Sequence, residues 1–138
     1  MFDARRLVGA ALAGLLMLGC SGSEEQPPEP PLNFARITKE VITAGACGGQ
    51  LCHSTIAGGL VLAPPDELYA SLIGVKAGGP ECGMSGMDRV VPADSANSLL
   101  YLKLSHTQPC GDPMPLIALP PSKVELVRRW IDAGAPKD

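Results

Sequence analysis

The sequence predicts an all-α domain: about four short helices joined by long loops rich in glycine and proline. Four segments carry apolar residues at three- and four-residue spacing, and no stretch alternates cleanly over the length of a strand. Thirteen glycines and fourteen prolines in the 119 residues after position 19 force the connections to be long and irregular.

The first helix places Phe34, Ile37 and Val41 on one face, with Asn33 as its cap, and runs toward Cys47. Pro65, Asp66 and Glu67 open a second, in which Leu68/Leu72 and Tyr69/Ile73 lie four apart and Gly74 marks the end. Asp94 or Ser95 caps a third, carrying Leu99, Leu100, Tyr101, Leu102 and Leu104. Ser122-Lys123-Val124-Glu125 has the form of a capping box for the fourth. Its apolar face is Val124, Val127, Trp130 and Ile131, and Gly134 and Pro136 stop it.

Ahead of these helices the chain is not domain-like. Residues 1–19 read as an export signal: Arg5 and Arg6, then a twelve-residue apolar run from Leu7 to Leu18 that is too short to span a bilayer. Leu16-Met17-Leu18-Gly19-Cys20 resembles a lipobox, which predicts lipidation of Cys20. An ordinary signal with a coincidental cysteine is the alternative. After Cys20, residues 21–32 complete the 20–32 segment; they hold four prolines and three glutamates and nothing to bury, so they predict a disordered tether of roughly 37 Å. The domain then spans 33–136. These features predict an exported protein, lipid-anchored to a bacterial membrane and facing the periplasm. Ser21 gives no retention signal of the aspartate type, which points to the outer membrane. Loss of Asp3, Arg5 and Arg6 with the leader takes the formal net charge from −3 to −4, which argues against nucleic acid as a partner.

Cys47-Gly48-Gly49-Gln50-Leu51-Cys52-His53 is the motif with chemical content. Two thiols followed at once by an imidazole are what covalent attachment of a c-type haem requires. The thiols add to the vinyl groups and the histidine reaches the iron as proximal ligand. Four residues separate these cysteines where two are common, and Gly48 and Gly49 give the longer segment freedom to bulge. The motif predicts one covalent haem c held by Cys47 and Cys52, with His53 on the iron. A satisfied core histidine is the competing reading of His53.

The remaining thiols fit this scheme. With Cys20 on lipid and Cys47 and Cys52 on haem, Cys82 and Cys110 are left to pair in an oxidising compartment. A haem-free domain with Cys47–Cys52 and Cys82–Cys110 bridges, or a zinc site built from the four, uses the same cysteines. For a second iron ligand the candidates are Met84, Met87, His106 and Met114. Pro113 and Pro115 hold Met114 in an extended, pre-ordered loop, so Met114 is the expected distal ligand and His106 the alternative. A buried gap-filling methionine is the bland reading of Met114.

Taken together, these pieces resemble the class I cytochrome c domain, and more narrowly the cytochrome c-like domains of bacterial lipoproteins, over residues 33 to 136. The matching residues are Cys47 to His53 after an N-terminal helix, Arg89-Val90-Val91-Pro92 leading into Ser98 to Leu104, Met114-Pro115, and a last helix ending Trp130-Ile131-Asp132-Ala133-Gly134-Ala135-Pro136. The resemblance implies that the first and last helices cross near Phe34 and Trp130 and that the loops enclose a haem pocket. Leu60, Val61 and Leu62 would line the haem edge, and Tyr69, Tyr101 or Arg89 would reach a propionate. It further implies a tethered monohaem electron carrier with redox protein partners and no catalytic residue. Two other functions stay open: a haem-free, disulfide-stabilised lipoprotein domain with a binding or structural role, and a haem site with a displaceable Met114 that senses ligands or acts as a peroxidase.

Overall fold

The structure is a computed structural model that describes residues 28–44, 47, 53, 60, 62 and 64–138. The leader, Cys20, Cys52, Val61 and most of the haem-attachment motif lie outside the described residues. Among the described residues the architecture is helical, with no strand and no helix long and apolar enough to cross a membrane.

The first helix, α1 (Phe34–Ile37), starts where Asn33 accepts a bond from the Arg36 amide at 3.0 Å. It continues as a wider π-type turn over Thr38–Thr43. Phe34, Ile37 and Val41 are all buried, as their spacing requires. Helix α2 (Pro65–Leu72) has proline and two carboxylates in its first turn and buries Leu68 and Leu72. It ends before Ile73, whose backbone is extended, and Gly74 follows in the left-handed region at φ +65°.

Helix α3 (Leu99–Leu104) begins later than the sequence suggests. Asp94 caps only a short 3₁₀ turn over Ser95–Asn97, accepting from the Asn97 amide at 3.1 Å. Ser98 is then extended and fully buried. Its hydroxyl donates to the Asp94 carbonyl and accepts from the Val91 amide, each at 2.8 Å. The Leu99 and Leu100 amides go to the carbonyls of Asp88 and Arg89. The chain gives up one continuous helix to dock on the 88–91 segment, which itself lies beside residues 72–77 through three backbone bonds.

Helix α4 (Pro121–Asp132) also departs from expectation at its start. The capping box does not form: Pro120 is the cap residue, Pro121 is the first helical residue, and Glu125 pairs forward with Arg128 at 2.6 Å. Proline needs no amide partner there, so the first turn is set by its fixed φ. Leu126, Val127, Trp130 and Ile131 are buried and Val124 is only partly so. The far end is a Schellman motif, with Gly134 at φ +96° bonding the Ile131 carbonyl and Ala135 bonding that of Trp130, both at 2.9 Å.

The main core forms where α1 meets α4. Phe34 packs on Trp130 at 5.6 Å between ring centres and edge-on against Tyr69 at 5.1 Å. The Tyr69 hydroxyl donates to the Ala135 carbonyl, so this tyrosine is a core tie and does not reach into a pocket. Glu29, ahead of the domain, pairs with Arg36 and Arg129, so the end of the expected tether lies on α1 and α4.

Candidate functional site

A second, smaller cluster of Ala77, Cys82 and Leu99 sits away from that core, and Cys82 is bonded to Cys110. Between the two clusters opens a cavity of about 390 Å³. Its apolar wall includes Leu60, Leu72, Leu99, Leu100 and Pro113, and His53 and Met114 also line it.

His53 lies in the loop between α1 and α2, of which the structure also describes Cys47, Leu60 and Leu62. Its amide bonds the Cys47 carbonyl and its own carbonyl accepts from Leu62, both at 3.2 Å. The side chain is 8% exposed. Nδ1 lies 3.0 Å from the Leu60 carbonyl, an acceptor, so this nitrogen carries the proton. In the neutral ring Nε2 then presents a lone pair, and it points at the Met114 sulfur 3.3 Å away. A ring nitrogen and a thioether, sixty-one residues apart in the chain, thus converge on one point inside an apolar cavity. Neither gains from facing the other in that state. At 3.3 Å the two atoms are in contact and nothing fits between them as they stand, so a hydrogen-bond donor meets Nε2 only by displacing the sulfur.

Met114 is delivered by the loop after α3. Its amide bonds the Lys103 carbonyl at 3.1 Å, and the Met114–Pro115 peptide is cis. Cys110, at the loop's start, is fixed by the bond to Cys82, with the two Cα atoms 5.4 Å apart. Sequence reasoning missed Lys103, the one charged side chain in the run Leu99–Leu104, which is 8% exposed. Its ammonium donates to the carbonyls of Cys110 at 3.0 Å and Asp112 at 2.8 Å. Burial lowers its pKa, and the Glu81 and Asp112 carboxylates oppose that shift. A lone lysine inside an apolar helix face was the available signal, since lysine is rarely buried without partners.

The other expected residues fall in different places. His106 is exposed, and its Nε2 donates to the Pro115 carbonyl at 3.0 Å on the outer side of the loop. It does not line the cavity. Met84 is 95% exposed, and Met87 packs on the small cluster. Cys47 is half-buried on the cavity wall, and Leu60 lines it too. Arg89 lines the cavity and donates to the Ser71 carbonyl at 2.7 Å.

The covalent haem c expected on Cys47 and Cys52 is corrected here. Among the described residues no three His, Cys, Asp or Glu side chains come together in a group that could hold a metal ion. The cavity brings together one imidazole and one thioether. No family model, curated protein or solved structure matches the chain.

Proposed function

We propose that residues 33–136 form a haem-free, disulfide-stabilised binding module of a tethered lipoprotein, taking a small apolar ligand in the cavity that His53 and Met114 line. One observation carries this reading. A cavity of about 390 Å³ with a largely apolar wall encloses a ring nitrogen and a thioether that face each other at 3.3 Å. That volume lies within the range of small-molecule sites, roughly 300–1,000 Å³, and such sites combine an apolar wall with a few directed polar groups. The ligand is largely hydrocarbon or aromatic, with one acidic N–H or O–H, or another electron-pair acceptor, to meet His53 Nε2.

Titration of the exported protein with a fluorescent naphthylamine tests this. Saturable binding at one site, abolished when Leu100→Trp fills the cavity and weakened several-fold by His53→Leu, is the expected result. Absence of saturable binding, or binding indifferent to both changes, overturns the proposal.

A second reading, membrane-tethered electron transfer to redox protein partners, is favoured by the identity of the converging pair. Imidazole and thioether are the side chains that the class I cytochrome c resemblance assigns to the two axial positions. A visible absorption band that changes between oxidised and reduced protein and is altered by Met114→Ala supports this reading over the first. An intact mass equal to the bare disulfide-bonded chain, apart from its lipid, removes it.

A further inference from the structure

We infer that Lys103 is the positioning residue that holds Met114 opposite His53. The inference rests on the proposal that the cavity these two line is the binding site.

Lys103 grips the Met114 loop from both of its ends. The side-chain ammonium donates to the carbonyls of residues 110 and 112, and the main-chain carbonyl accepts the amide of residue 114. Alternate residues of one strap are therefore tied to a single helical residue, in the turn before Met114 enters the cavity. Few apolar contacts hold this strap. Leu116 and Ile117, just beyond it, are 76% and 86% exposed, and proline at 113 and 115 supplies no amide. Directed bonds from a buried cation take over the role that packing plays elsewhere, and charge-assisted bonds of this type are stronger than neutral ones.

The fit of the strap on the ammonium is visible at Gly111. A Cβ built there would lie 2.5 Å from the Glu81 carboxylate and 3.1 Å from Lys103 Nζ, and its φ of +60° already favours glycine. A Cβ there would require the ends of the Glu81 and Lys103 side chains to shift. The side-chain hydrogen bonds of Lys103 go to this loop and not to His53 or Met114. Its effect on the site passes through the loop.

The test uses the exported full-length protein labelled with ¹³C-methyl methionine, with the Met114 signal assigned from Met114→Leu. In the parent protein a cross-peak is expected between the Met114 methyl and the His53 ring protons. Lys103→Met, which keeps the hydrocarbon stem and removes the donors, is expected to abolish that cross-peak while contacts between Phe34 and Trp130 persist. Lys103→Gln, which retains an N–H donor, is expected to recover part of it. Persistence of the full cross-peak in Lys103→Met overturns the inference. Should Lys103→Met not fold, Gly111→Ala is read the same way, because it lifts the strap off the ammonium without touching the main core. A cross-peak missing from the parent protein overturns the proposed site itself, which separates the two failures.

Discussion

The two sides of the cavity are held together by different physics. On one side, α1 and α4 meet through Phe34, Ile37, Val41, Val127, Trp130 and Ile131, all essentially removed from solvent. On the other, the Met114 strap has a disulfide, a buried ammonium and backbone ties, with Ala77, Cys82 and Leu99 as the buried apolar residues of its cluster among the described residues. Apolar burial is undirected and tolerates small displacements, whereas a covalent bridge and hydrogen bonds to named carbonyls fix a backbone path. A core can therefore supply stability while a strap supplies placement. His53 stands between them, and its ring bonds Leu60, a residue that packs against the main core.

The sharpest way to break this contrast is Trp130→Ala. Removing the largest fully buried side chain should cost about 3–5 kcal/mol. Chemical denaturation should show both sides failing in one transition, since the strap has no core of its own. Next in size, replacing Cys82 and Cys110 together by serine removes a bridge that closes a loop of about 29 residues, worth roughly 3–4 kcal/mol on the chain-entropy estimate. Here the amides of residues 110–114 should lose hydrogen-exchange protection while those of α4 stay the most protected. Equal loss on both sides would show that the strap is no separate unit.

Ser98→Ala tests the joint between α3 and the 88–91 segment. It deletes a buried hydroxyl with three backbone contacts and should cost about 1–3 kcal/mol, read from the denaturation midpoint. Acid should act more weakly and on the core side. The Glu40 carboxyl is held below its ordinary value by Lys123 and then Arg36, and that of Asp132 chiefly by Ser95. Both are lowered in the folded state, so their contribution is complete above the ordinary carboxylate range. It is lost as the pH falls through the lowered values. Both groups are solvent-exposed or nearly so, which keeps the effect small, and added salt should reduce it further. Denaturation midpoints at pH 6 and pH 3 check the sign.

How much of this was legible beforehand depends on the kind of interaction. Helical periodicity placed Phe34, Ile37, Val41, Leu68, Leu72, Val127, Trp130 and Ile131 inside, because burial of a stripe leaves a repeat in the sequence. The cap at Asn33 and the stop at Gly134 were legible for the same local reason. The break at Ser98 was not, since it depends on backbone groups of residues 88–91 that only the tertiary fold brings near. The capping box at Ser122 failed because two prolines just ahead of it already set the first turn. Within the candidate site, His53 and Met114 were named from chemistry, but their approach came from a loop path that no periodicity encodes. Lys103 looked like one more helix former in a leucine-rich run until its two carbonyl partners were in place.

The short tail after α4 has a further consequence. Carbonyls of residues 135–137 accept from the Phe34 amide, the Tyr69 hydroxyl and the Trp130 indole, joining three helices. A chain that lacks residues 135–137 lacks that seal. A truncation before Ala135 should therefore leave a chain prone to proteolysis where one after Lys137 does not.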